Sequence, residues 1–350
     1  MTEIGIWAGL AVGVLFGAAS CLSDFCLLRS LRGQVYYTDG APLRSFVLAM
    51  AVALAGTQLL ASQVDVDLSQ SIYVQTGIAL PAAIFGGLLF GLGMVMANSC
   101  GARALVLSAS GNLRSWVVLA CVGLAGYATM KGVLSPLRQW LTSWGILTLE
   151  PSHASLSSWL HELTGLSELG LWLVSGLLPG LLLALWAFTN AGLRASPRLW
   201  IGAVGVGLAI VAGWAVSGYW AVDEFNPMPP VSLSYVAPIG QALLYSMIST
   251  GMEMDFAVAT VLGTVLGGGL LAVCRRQLRW QGFANARQML RYMAGGVLMG
   301  VGGVLATGCS IGQLLSGFST LAIQSFVAIA AILLGARLGM ILFAPPHNPH

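Results

Sequence analysis

The sequence predicts an all-α polytopic membrane protein: about nine transmembrane helices plus short re-entrant helices, arranged as an inverted-topology, pseudo-symmetric repeat. Three observations carry this. Of 350 residues, 57% are hydrophobic and only 8% are charged, with a mean hydropathy of +0.85, whereas soluble domains carry about 25% charge. One stretch occurs twice: at a shift of 209 positions Gly86, Gly87, Gly91, Gly93 and Cys100 fall on Gly295, Gly296, Gly300, Gly302 and Cys309. Finally, arginines and carboxylates alternate between successive connections, which gives each apolar segment a direction.

About 20 apolar residues cross a bilayer as a helix. On that measure spans are expected near 4–27, 45–62, 73–97, 115–134, 169–190, 199–222, 256–273, 292–307 and 321–343. Residues 236–250 form a shorter apolar piece behind Pro227, Pro229, Pro230 and Pro238, read as re-entrant. Met1-Thr2-Glu3 lacks a basic leader, so the first run is expected to be a retained span. The tail 344–350, with Pro345, Pro346 and Pro349, is expected to be disordered. Arg29, Arg32 and Arg44 follow the first span, Arg194 and Arg198 follow the fifth, and Arg275, Arg276, Arg279, Arg287 and Arg291 fill the connection 274–291. Asp65, Asp67, Glu150, Glu162, Glu168, Asp223, Glu224, Glu253 and Asp255 fall in the alternate connections. The arginine connections are therefore expected in the cytoplasm, the N-terminus outside and the C-terminus inside.

Four spans, one odd span and four more make the second set enter with opposite polarity. The expected organisation is 1–134 as the first repeat, 135–198 as an outer loop and linking helix, 199–343 as the inverted second repeat, and the tail. Gly9 and Gly17 also align with Gly205 and Gly213 at a shift of 196, where Cys26 falls on Val222 and has no twin.

The chemistry gathers at the repeated break, Asn98-Ser99-Cys100-Gly101 and Thr307-Gly308-Cys309-Ser310. Irregular backbone at membrane depth is tolerated only inside protein or along a cavity. Short segments near 101–110 and 310–319 would present helix N-termini at the break, and such ends attract anions. A thiol there adds a soft, polarizable, weak donor suited to a sulfur-bearing ligand. Blander readings stand beside this one. The Gly-x3-Gly spacings at 9–17, 87–91, 263–267 and 296–300 are what close helix packing uses. A lone membrane cysteine is ordinarily filler, which suits Cys21, Cys121 and Cys274. Arg103 either faces an anion or snorkels. Asn98 and Thr307 either cap the short helices or touch ligand. Glu253 and Asp255 read as a solvated outer loop.

The paired blocks GGLLFGLGMVMANSCGA and GGVLMGVGGVLATGCSIG resemble the YeeE/YedE family of bacterial inner-membrane thiosulfate permeases. Phe16-Gly17, Phe25-Cys26 and Arg32 match a third block of that family. The resemblance spans nearly the whole chain and is weakest at 135–168. It implies pseudo-symmetric halves pinched at the centre and uptake of thiosulfate into the cytoplasm. The path would be marked by Cys26, Cys100 and Cys309, which hold the terminal sulfur through S–H···S contacts. It also implies a small cytoplasmic sulfur carrier of the TusA type as partner. The chain departs from the usual pattern at Leu22 and Asp24, where basic residues are common, at Arg32-Gly33 in place of Arg-Asp, and at Asn98-Ser99 in place of Gly-Gly.

The reading is thus a permease rather than an enzyme. No catalytic residue, cofactor or metal site is expected: the six cysteines contain no CxxC, and the histidines at 153, 161, 347 and 350 lie in a loop or the tail. The net charge of +3 is too small to point to nucleic acid. The alternative is a membrane thiol-redox or sulfane-sulfur transfer protein, which needs two cysteines within disulfide reach. A soft-metal transporter is a third reading, resting on Met94, Met96 and Met299.

Overall fold

A computed structural model describes residues 3–37, 39–64, 66–74, 77–148, 154–165, 167–220 and 229–343. Asp65, Glu150, His153, Val222, Asp223, Glu224, Pro227 and the tail 344–350 lie outside the described residues. The first half runs α1 (Glu3–Ser23), α2 (Leu27–Tyr36), α3 (Ala41–Gln63), β1 (Gly77–Ala79), α4 (Leu80–Met96), α5 (Gly101–Ala109) and α6 (Leu113–Lys131). The middle holds α7 (Ser135–Ser143), β2 (Ile146–Thr148), α8 (Leu156–Thr164), α9 (Glu168–Trp172), α10 (Leu178–Phe188) and α11 (Ala191–Ala195). The second half runs α12 (Pro197–Ala215), α13 (Val236–Ile248), α14 (Phe256–Cys274), α15 (Ala286–Leu305) and α16 (Ile323–Phe343). The fold is all-α and polytopic. Among the described residues, eight helices are long and apolar enough to cross a membrane. The ninth expected span is α15, 20 residues long, with Arg287 and Arg291 in its first two turns.

Two expectations are corrected. Residues 73–79 do not begin the third span. Pro81, which lacks an N–H and suits only a first turn, starts α4 late. The preceding residues form β1, which pairs antiparallel with β2 as Gly77↔Thr148, Ile78↔Leu147 and Ala79↔Ile146. The stretch 135–168, expected as loop, also contains the short helices α7 and α8.

Glycine dictates how the halves meet. A Cβ on Gly86 would lie 2.7 Å from the Gly302 carbonyl oxygen, and one on Gly302 would lie 2.6 Å from the Gly86 oxygen. The second contact mirrors the first: a Cβ added at Gly93 or Gly295 would lie 2.6 or 2.7 Å from the other's carbonyl oxygen. Position 86 meets 302 while 93 meets 295, so α4 and α15 cross antiparallel, and the repeat alignment exchanges one contact for the other. This is the signature of an inverted pair.

The flanking seams obey the same exchange. Gly87 and Gly91 pack on Ala331 and Ile332 of α16, as Gly296 and Gly300 pack on Cys121 and Val122 of α6. Gly13 and Gly267 set α1 on α14, and Gly56 and Gly207 set α3 on α12. Backbones this close gain dispersion and weak Cα–H···O contacts that a side chain would forbid. Helix α10 stands apart, with only Gly180 and Ala187 buried while Leu178, Leu181, Leu182 and Leu185 point outward, the pattern of a lipid-facing helix beside α3.

Candidate functional site

One backbone device ends five helices, α5 at Gly111 and α14 at Arg276 among them, and at three of the five it is followed by a cysteine. Each of α1, α4 and α15 ends with a bond from a backbone N–H to the carbonyl five residues back: Phe25 to Ser20 at 2.9 Å, Ser99 to Met94 at 3.2 Å and Gly308 to Gly303 at 2.8 Å. That is the closing bond of a Schellman motif, which requires a left-handed residue just before its donor. Those residues are Asp24, Asn98 and Thr307, with φ of 51°, 55° and 54°. Asp and Asn tolerate this conformation, but a β-branched Thr does so only when its surroundings hold it there. Two residues after each comes a cysteine: Cys26, Cys100 and Cys309. Each cysteine carbonyl accepts the first bond of a new helix, from Ser30, Ala104 and Gln313 at 3.0, 2.9 and 2.8 Å. The three thiols therefore sit where one helix has stopped and another begins. The segment opened by Cys309 is π-helical over Gly312–Gly317, a departure from α-geometry that recurs at functional sites.

All three cysteines are free and buried. The Cys26 and Cys100 side chains are neighbours, and Cys309 lies near enough to Cys100 to interact through space. The Cys309 sulfur accepts the Gly312 N–H at 3.3 Å, which leaves its own proton free to donate. Cys21, Cys121 and Cys274 stand apart: Cys21 is half-buried, Cys121 packs against Gly296, and Cys274 is exposed at the end of α14.

Cys26 opens into a cavity of about 710 Å³ that also touches Arg29, Arg32, Asn98, Ser99, Arg103 and Arg114. Asp24 restrains this positive rim. Its carboxylate lies 3.1 Å from Arg29 and 3.5 Å from Arg103, and its carbonyl accepts from Arg103 at 2.8 Å. Arg32 donates to Asn98 Oδ1.

Around Cys309 the break is tied by side-chain hydrogen bonds. Thr307 Oγ1 accepts from Gln313 at 3.1 Å and from Gln324 at 2.8 Å, and Gln313 also donates to the Ala306 carbonyl at 2.5 Å. Asn98 and Thr307 thus cap neither short helix: the N-cap of α5 is Cys100, without a side-chain bond. Ser99 Oγ donates to the Cys100 carbonyl at 3.1 Å. Ser310 Oγ is buried without a partner. Gly101 lies under the ring-bearing carbon of Tyr235, and a side chain on Gly308 would crowd Gln313.

Sequence reasoning missed Asp24 as a third turn residue, and Gln313, Gln324, Tyr73 and Ser234 around Cys309. The spacing Asp/Asn/Thr-x-Cys would have found the first, and two glutamines inside an apolar repeat would have flagged the next two.

An inverted repeat with paired broken helices is the architecture of many membrane transport proteins. The chain belongs to the sulphur transport family, whose model matches residues 22–338. It is therefore a transporter and not an enzyme. It is 30% identical over 338 residues, 94% of this chain and 96% of the relative, to a protein of Spirochaeta thermophila named thiosulfate transporter TsuA. A protein of the same name from Escherichia coli K12 is 26% identical over 340 residues, covering 94% of this chain and 92% of the relative.

Proposed function

We propose that the chain is a permease of the bacterial inner membrane that takes up thiosulfate into the cytoplasm through Cys309, Cys100 and Cys26. The carrying observation is that three of these turns each set a buried thiol at the start of a new helix, one of them at the arginine-rimmed cavity. At each station a thiol can donate to the terminal sulfur. Neutral contacts of this kind are strong enough to replace water and weak enough to release. Asn98, Ser99, Gly101, Thr307, Gly308 and Ser310 shape the stations, and Arg103 receives the anion at the inner mouth. The halves 1–134 and 199–343 act as the two repeats, with 135–198 linking them. The family resemblance adds a TusA-type sulfur carrier as the cytoplasmic acceptor.

The orientation follows from charge. Arg29, Arg32, Arg114 and Arg291 share the end that bears the cavity, with Lys131 and Arg138 as exceptions in the opposite connections. The test is uptake of labelled thiosulfate by cells with and without the gene, and by single Ala variants of all six cysteines at matched membrane levels. An unpaired ligand group in a dry constriction costs about 1–3 kcal/mol, so Cys100→Ala and Cys309→Ala should each lower flux roughly tenfold to hundredfold. Cys26→Ala should be intermediate. Cys21, Cys121 and Cys274 should be silent. Wild-type flux in both Cys100→Ala and Cys309→Ala sinks the thiol path.

A further inference from the structure

Buried polar atoms without a hydrogen-bond partner collect around the Cys309 break. They include Tyr73 Oη, Ser310 Oγ, Gln313 Oε1, Gln324 Oε1 and Ser325 Oγ. Native interiors leave few such groups, so a cluster of them marks a place prepared for a polar occupant.

The geometry narrows that place to one point. A Cβ built on Gly312 would fall 2.9 Å from Ser234 Oγ and 3.0 Å from Tyr73 Oη. Both hydroxyls therefore lie against the bare Cα of Gly312, beside the thiol, where no side chain fits. Ser234 Oγ lies 4.0 Å from Cys309 Sγ. The Tyr73 side chain is 1% exposed, and its ring is held edge-on to Trp214 at 6.2 Å. Trp214 is itself fixed by donating to Ser319 at 3.2 Å. A hydroxyl on a locked ring, with no protein partner, is a preorganised donor.

We propose that Tyr73 and Ser234 form a charge-free oxyanion seat one step outward of Cys309. Their hydroxyls donate to the sulfonate oxygens of the anion while Cys309 meets its terminal sulfur. The inference rests on the thiosulfate reading and extends it to the other end of the substrate. The seat recognises a tetrahedral oxyanion in general, so sulfate competes for it. Onward passage needs a terminal sulfur for the thiols, so sulfate stops there. Neutral donors also fit the position, because an arginine buried at this depth would hold a dianion too tightly to release it.

The test uses the full-length protein in proteoliposomes with labelled thiosulfate and with sulfate as competitor. Tyr73→Phe removes one oxygen and leaves the ring. We expect the half-saturating thiosulfate concentration and the sulfate inhibition constant both to rise about tenfold, the loss of one buried hydrogen bond to a charged ligand. The maximal rate should stay within about twofold. The melting temperature should not fall, because that hydroxyl has no partner in the protein. Ser234→Ala should act in the same direction. Gly312→Ala crowds both hydroxyls and should abolish both uptake and sulfate inhibition; if it does not fold, Tyr73→Phe carries the test alone. Saturable, Cys309-dependent uptake in the wild type together with an indifferent Tyr73→Phe overturns the seat and leaves the thiol path standing. A lower melting temperature with unchanged half-saturation makes Tyr73 a structural lid and also overturns it. Wild-type protein that takes up no thiosulfate overturns the reading beneath.

Discussion

Replacing Gly302 by Ala adds one methyl group at the crossing of α4 and α15. The ideal Cβ lies 2.5 Å from the Phe90 backbone nitrogen and 2.6 Å from the Gly86 oxygen. Both neighbours are backbone and cannot swing aside, so relief to ordinary contact near 3.4 Å separates the helices by roughly 0.8–0.9 Å. A gap of 0.5–1 Å forfeits about a quarter to a half of each contact's attraction along the seam, and overpacking of this kind costs about 1–3 kcal/mol. Alanine also raises helix propensity by about 0.8–1 kcal/mol over glycine, so a control must isolate the clash. Gly269 of α14 supplies it: its added Cβ meets nothing closer than Ala109 Cβ at 3.5 Å, an ordinary contact. Gly269→Ala should be neutral or slightly stabilising, and Gly302→Ala should fall about 1–3 kcal/mol below it, since both gain the same propensity and only Gly302→Ala meets the clash. Because α4 leads to Cys100 and α15 to Cys309, Gly302→Ala should also lose uptake. The assay is thermal unfolding of both purified variants in one detergent, alongside uptake. Equal melting temperatures would refute the close-crossing argument.

The remaining predictions follow from the inner mouth. The Cys26 and Cys100 side chains are neighbours, so a two-electron thiol oxidant should link them, stop uptake and be reversed by dithiothreitol; Cys26→Ser should be resistant, and a link that forms during ordinary turnover would contradict the thiol path. Asp24→Asn frees Arg29 and Arg103 from their shared carboxylate, so thiosulfate supplied on the inner side should inhibit more strongly; unchanged inhibition would show that the pair does not govern release. A reporter fused after Phe343 should be active in the cytoplasm only, and periplasmic activity would reverse the orientation.

The repeat was legible because glycine spacing survives where side chains diverge: Gly86, Gly93, Gly295 and Gly302 align in sequence and touch in space. The paired breaks at Cys100 and Cys309, proposed here as stations, were found by the same alignment. What lay hidden depended on contacts distant along the chain. Cys26 has no sequence twin because the connection after α12 is far longer than the three-residue turn after α1, so a fixed shift loses register. In space Ser234 stands to Cys309 as Cys26 stands to Cys100. Tyr73 sits in a stretch that reads as apolar, and only the β1–β2 pairing moves it out of the third span. Asn98 and Thr307 have the chemistry of caps, but each followed a helix end and adopted the left-handed turn instead.

The lining between the arginine rim and the far surface has one more consequence. Among the described residues, the buried polar side chains there are thiols, hydroxyls and amides, with no lysine, arginine, aspartate or glutamate among them. A dianion passing them carries its full charge through the membrane field. With the cytoplasm negative, moving two negative charges inward costs about 4.6 kcal/mol for every 100 mV. That equals an outside excess of roughly three decades in concentration. Thiols and hydroxyls can fix how fast the anion crosses and where it rests, but a passive path cannot reverse that balance. On the uptake reading proposed above, net import through such a lining is governed by the reaction that removes thiosulfate at the inner mouth, and blocking that reaction should stall uptake even with every residue of the path intact.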